Sequence, residues 1–144
     1  MVTIQHVAFA EFDTRTLYAI LRLRQDVFVV EQSCPYPDID GRDLEPDTRH
    51  CWISEEAQIL AYLRVLHEPD GTWRIGRVVT ATSGRRRGLA STLVRDVLTR
   101  LDGDVVLDAQ TYTTGLYERL GFAVDGPEFL EDGIPHAPMR LARP

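Results

Sequence analysis

The stretch that most restricts the fold of this chain is residues 78–94, Val-Val-Thr-Ala-Thr-Ser-Gly-Arg-Arg-Arg-Gly-Leu-Ala-Ser-Thr-Leu-Val. It begins as an apolar, β-branched strand end. From Leu89, apolar residues recur at helical spacing through Leu93, Val94, Val97, Leu98 and Leu101. A strand that turns this quickly into an amphipathic helix requires a layered arrangement, with the helix covering one face of a sheet. The junction carries Gly84, Arg85, Arg86, Arg87 and Gly88. The first N–H groups of a helix lack internal partners and lie at the positive end of its dipole. A phosphate-bearing ligand suits such a place. Gly88 presents no Cβ to it, and the arginines add charge-assisted contacts.

The remaining elements supply the layers. Residues 2–9 predict a first strand from Val2, Ile4, Val7 and Phe9. Asp13 or Thr14 caps a helix running to about Phe28 or Val30, with Leu17, Ile20, Leu21 and Leu23 on its apolar face and Arg22, Arg24 and Asp26 on its polar face. Residues 50–54 and 60–67 read as a hairpin, and 73–80 as a further strand after the turn at Glu68-Pro69-Asp70-Gly71. Asp102-Gly103 stops the helix begun at Leu89. Residues 105–107 predict a short buried strand, 113–120 a short helix ended by Gly121, and 122–129 and 137–141 two closing strands. This order predicts an α/β (α+β) fold with one mixed, mostly antiparallel sheet of about seven strands and helices on both faces. With no internal repeat or linker, residues 1–144 are expected to form one domain.

Composition narrows the function. The net charge of −6 argues against a nucleic-acid binder and makes Arg85-Arg86-Arg87 a local exception. No apolar run approaches membrane-spanning length, so no membrane partner is expected. Residues 1–6 lack the basic and apolar segments of a leader, so the expected compartment is the cytoplasm. Cys34 and Cys51 fit no zinc or redox spacing and read as free packing thiols.

Residues 32–48 have no hydrophobic period and carry Asp38, Asp40, Asp43, Glu45 and Asp47 among prolines. A loop this long in a compact domain is usually functional or disordered. The interspersed Cys34, Tyr36, Ile39 and Leu44 favour an ordered loop. Its carboxylates would draw a cationic amine. The ligand ladder and closing glutamate of a calcium-binding EF-hand are missing, and no spacing demands a metal.

Among phosphate-binding patterns, the Walker loop fails for want of its lysine, and Gly-x-Gly-x-x-Gly is absent. What fits is Arg85-x-x-Gly88-x-Ala90, which resembles the pyrophosphate loop of the GNAT superfamily of acyl-CoA N-acyltransferases, written Gln/Arg-x-x-Gly-x-Gly/Ala. Leu116-Tyr117-Glu118-Arg119-Leu120-Gly121-Phe122 is similar to the Tyr-x-x-Leu-Gly-Phe signature of the same superfamily. The segment 23–43, with Val27-Phe28-Val29-Val30-Glu31-Gln32 and Cys34-Pro35-Tyr36, resembles its ElaA-like branch, as do Arg49-His50 and residues 131–136.

The resemblance implies a GNAT-like fold and transfer of an acetyl group from acetyl-CoA to an amine by direct attack. It implies that the strand before the loop and the strand after the helix splay apart. CoA would then lie between them, held by Val78, Val79 and Thr80 and by Arg85, Arg86, Arg87, Gly88, Leu89, Ala90 and Ser91. Tyr117 stands where the superfamily commonly places the acid for the departing thiolate, and a phenol is protonated at neutral pH. The glutamate that many members carry on the strand before the loop is absent from residues 73–80. The base is therefore open among Glu31, Asp38, Asp40, His50 and His136, or a water chain ending on one of them. Tyr36, Asp38 and Asp40 are the expected acceptor contacts, with Trp52 a further apolar candidate. The alternative is a non-catalytic acyl-CoA-binding or sensor protein of the same fold. An edge strand or the last hairpin is compatible with a homodimer.

Overall fold

The computed structural model describes all residues 1–144. Strand β1 (Val2–Val7) leads into helix α1 (Thr14–Arg24). Asp13 caps that helix by accepting from the Thr16 N–H at 2.8 Å. Its winding then widens to a π-helix over Gln25–Glu31. After the acidic loop come β2 (Arg49–Glu55), β3 (Gln58–His67), β4 (Trp73–Thr80), α2 (Leu89–Leu98), β5 (Val105–Gln110) and α3 (Thr114–Arg119). The chain closes with β6 (Ala123–Val124), β7 (Phe129–Glu131) and β8 (Ile134–Leu141). The expected strand over residues 122–129 is thus two short pieces. Between them lie Gly126 and Pro127, and a proline has no N–H for a ladder. The eight strands form one sheet in the order β1-β2-β3-β4-β5-β8-β6, with β7 also paired to β8.

Ile20 of α1 packs with Trp52, Tyr62 and Val79 on one face. On the other face α2 buries Leu89, Leu93, Val94, Val97 and Leu98 against Ile53, Leu63, Val65, Ile75, Val105 and Leu107, with Tyr117 of α3 in the same cluster. All pairings are antiparallel except β4–β5. That parallel pair joins only at Trp73↔Val105 and Arg74↔Val106 and then separates.

A bulge accompanies the separation. Tyr62 pairs with Val79 but Arg64 with Gly76, so β4 advances three residues while β3 advances two. Arg77 takes up the extra residue at φ 55°. Ile75 and Val79, four apart, would share a face in a regular strand. Here Ile75 faces α2 and Val79 faces α1.

Candidate active site

Where β4 and β5 part, a cleft of about 920 Å³ passes between them. The backbone of β4 beyond Arg74 has no strand partner on that side. Loop 81–88 and the start of α2 border the cleft at the far end of β4. Gly88 is the N-cap of α2 at φ 70°, and no side chain caps the helix. Its first N–H groups are therefore open to an anion. A Cβ on Gly88 would meet nothing within 4 Å, so the chain itself leaves that volume free. Gly84 is the tighter position, where a Cβ would lie 3.1 Å from Leu60 Cβ and 3.2 Å from Leu89 Cδ1.

The three arginines differ. Arg85 donates to both Glu31 oxygens at 2.7 and 2.6 Å and to the Thr80 carbonyl at 3.2 Å. Arg87 pairs with Glu55 at 3.0 Å. Arg86, exposed at φ 66°, has no ion pair. Of the residues expected around a cofactor, Val78, Val79, Thr80, Arg85 and Ala90 line the cleft. Val79 and Leu89 turn their side chains into apolar clusters, which leaves only their backbone for a ligand. Ser91 lies in the uncapped first turn of α2.

Tyr117 lines the cleft from the α2 side, 7 % exposed, and packs edge-on against Phe122. Burial pushes its hydroxyl up to about 12, with the nearby Tyr112 adding to the shift. It stays protonated and can only donate to a sulfur anion.

Three carboxylates of the acidic loop, Asp38, Asp40 and Asp43, are not free. Arg24, expected on the polar face of α1, is 0 % exposed. It donates to Asp38 Oδ2 (2.9 Å), the Asp38 carbonyl (2.9 Å) and both Asp43 oxygens (2.8 and 3.2 Å). Asp38 also accepts from the Tyr36 hydroxyl and sits 2.8 Å from Arg77 Nε, an ionic contact without hydrogen-bond geometry. Arg64 binds Asp40 at 2.9 and 2.6 Å. Burial alone would raise the Asp40 carboxyl, but the hydrogen bond from Arg64 and the charges of Arg64 and Arg77 hold it well below the usual range.

Asp38, which does not line the cleft, is therefore corrected from an acceptor contact to a partner of buried arginines, and Asp40 is tied to Arg64 at the cleft wall. A guanidinium without carboxylates could not be accommodated there. Of the three expected acceptor contacts, Tyr36 and Asp40 still line the cleft, and Arg77 lies over the Tyr36 ring at 5.4 Å.

The base candidates separate as clearly. His50, 1 % exposed, lies between the Tyr62 hydroxyl (2.7 Å) and the Asp43 carbonyl (3.1 Å). It borders a small apolar cavity under α1 and not the cleft. Strand β2 is two places from β4 in the sheet, which puts His50 on the order of 10 Å from the opening. His50 is thus excluded as a group that meets substrate. Trp52, on the same strand, is packed beside Ile20 as core. Glu31 lines the cleft but is held by Arg85, whose hydrogen bonds keep its carboxyl below the usual range. His136 on β8 lines the cleft, pairs across from Gln110 of β5 and stacks on Phe129.

Arg64, Arg74, Arg77, Asp108 and Gln110 also line the cleft and were not singled out from the sequence. Arg64 carried a signal, being one charge inside the apolar run 60–66. The others needed the strand pairing.

A family profile described as Acetyltransferase (GNAT) domain matches residues 27–143. The chain belongs to the GNAT acetyltransferase family. Within the family it falls with the ElaA-like proteins. It is 37% identical to Protein ElaA of Escherichia coli over 146 residues, covering 96% of this chain and 95% of ElaA. It is 45% identical to UPF0039 protein Rv2851c of Mycobacterium tuberculosis, covering 90% and 86%. The crystal structure of an acyl-CoA N-acyltransferase from Pseudomonas aeruginosa superposes with a TM-score of 0.90 at 41% identity, covering 99% of this chain and 100% of that one. The crystal structure of Escherichia coli ElaA gives 0.91 at 36%, covering 97% and 99%. The GNAT fold expected from the motifs is thus the fold of this chain. No helix is long and apolar enough to cross a membrane.

Proposed function

We propose that this GNAT protein is an acetyl-CoA-dependent N-acetyltransferase that acts on an amine by direct attack. The observation that carries the reading is the open β4–β5 gap, with the uncapped α2 N-terminus at one end and the Tyr117 hydroxyl on its wall. The donor supplies a thioester, whose acyl carbon an amine can attack. The unpaired edge of β4 at Val78, Val79 and Thr80 would take the pantetheine arm by main-chain hydrogen bonds. Gly88, Leu89, Ala90 and Ser91 would hold the pyrophosphate through N–H groups, with Arg86 and Arg87 supplying positive potential. Arg85 would reach the phosphates by releasing Glu31.

Tyr117 would donate a hydrogen bond to the departing sulfur. Its raised pKa disfavours complete proton transfer to a solvated thiolate, but a thiolate in the same buried place is more basic as well. The second reading, a non-catalytic acyl-CoA sensor, draws support from β4, which carries no carboxylate between Trp73 and Thr80. Thiol release from acetyl-CoA across a panel of primary amines decides between them. Turnover supports the enzyme. CoA binding without turnover on any amine supports the sensor, and failure to bind CoA removes both.

A further inference from the structure

Five groups were open as the base. Asp38 does not line the cleft, and Asp40 and Glu31 are each held by an arginine through both oxygens. His50 lies two strands away. His136 is different. It is 9 % exposed, and its Nδ1 lies 2.7 Å from the Ile134 carbonyl oxygen. A carbonyl can only accept, so Nδ1 carries the proton and donates it. In the neutral ring Nε2 then holds a lone pair. No hydrogen bond engages Nε2, and its nearest ionic neighbour is Glu131 Oε2 at 4.0 Å. This is a buried side chain with one unpartnered polar atom on the cleft.

The face of the sheet matters too. Gln110 and His136 are paired residues on adjacent strands, so they project from the same face. Gln110 reaches Gln32, just beyond the π-wound end of α1. His136 therefore opens into the cleft from the α1 side, whereas Tyr117 belongs to the cluster on the α2 side. A thioester in the gap between β4 and β5 would have the phenol on one side and the imidazole on the other. The carboxylates of Glu131 and Asp132 on the β7–β8 hairpin, and of Asp108 on β5, also line the α1-side half. Asp108 accepts only one hydrogen bond, from Arg74 at 3.1 Å. The arginines there are tied to acidic partners, Asp108 among them, whereas Glu131 and Asp132 have no arginine partner and are the carboxylates left for a cationic ligand.

We infer that His136 is the general base of the transfer and that its acceptor is a primary alkylammonium entering from the α1 side. This rests on the acyltransferase reading above. The ammonium gives a proton to Nε2, and the freed nitrogen lone pair forms a C–N bond to the acyl carbon. The C–S bond breaks, its electron pair stays on sulfur, and Tyr117 donates a hydrogen bond to that thiolate. The nitrogen, cationic after attack, loses its second proton through solvent to the thiolate, so a neutral amide and a free thiol leave. The imidazolium is left beside Glu131 and returns its proton to solvent. Imidazole suits this task because its ordinary pKa lies nearest neutrality.

Nitrogen-15 NMR of the histidine-labelled chain at about pH 8 reads the tautomer without turnover. A protonated Nδ1 and bare Nε2 at His136 are expected, and a protonated Nε2 overturns the inference. Kinetics then compare n-butylamine, an ammonium at that pH, with hydroxylamine, a free base there that need not lose a proton before it attacks. For H136Q, turnover with butylamine should fall on the order of 10²–10⁴-fold, and with hydroxylamine by less than about 10-fold. CoA affinity should stay unchanged. An equal loss on both nucleophiles overturns His136 as base while leaving the transferase intact. No turnover by the parent protein with either probe overturns the transferase reading and this inference with it.

Discussion

Replacing Arg24 by methionine tests the claim that the acidic loop is structural. The guanidinium is fully buried and makes four hydrogen bonds, two to Asp38 and two to Asp43. Methionine fills much of the same volume but leaves two buried carboxylates each short of a cationic partner. Removing one member of a buried ion pair costs about 3–5 kcal/mol. Arg77 remains beside Asp38 and Arg64 beside Asp43, so the lower end, about 3 kcal/mol, is expected. In urea this lowers the unfolding midpoint by about 1–2 M at unchanged m. In a thermal scan it lowers Tm by about 10 °C.

The acid limb adds a signed check. Burial would raise the Asp43 carboxyl, but hydrogen bonds and charge from Arg24, together with the charge of Arg64, hold it below its ordinary value. Its contribution is full above the unfolded carboxylate pKa of about 3.9 and is lost as pH falls through the lower folded value. R24M should show a smaller loss over that window. A change below about 1 kcal/mol, with activity reduced instead, would return the loop to acceptor recognition and refute the argument.

Other substitutions probe separate parts. Gly88→Glu fills the space in front of α2 with a like charge, so CoA binding by calorimetry should vanish; undiminished affinity would move the phosphates elsewhere. Tyr117→Phe removes only the hydroxyl, and kcat should fall by roughly 10-fold or more with CoA affinity retained. Gly84→Ala should destabilise by about 1–3 kcal/mol in urea, because the new Cβ presses on Leu60 and Leu89. Burial lowers the His50 pKa, so the unfolded chain takes up a proton first as pH falls through about 6.5. Stability should therefore fall from about pH 7.5 to 5.5, and less steeply in H50Q. An identical slope in that variant would assign the effect to another group, His6 being the other histidine lowered by burial.

The alternation of residues 2–7, the apolar run 60–66, the helical period from Leu89 to Leu98 and the turn residues between them marked most elements, because each is a local relation between neighbours. The same locality made Arg85-x-x-Gly88-x-Ala90 and Tyr117-x-x-Leu120-Gly121-Phe122 readable as a family pattern. Three matters were settled only by the assembled sheet. The bulge at Arg77 arises from pairing with β3, and it turns Val79 toward α1, which no period in β4 announces. Asp38, Asp40 and Asp43 look free in the sequence because their partners, Arg24, Arg64 and Arg77, come from three other elements. His50 and His136 are each one histidine near a strand start, yet the strand order sends His50 into the core and brings His136 to the opening. Local patterns report backbone geometry and one buried face. The neighbours of a charge across the sheet are set by register and strand order, and those exist only once the chain has folded.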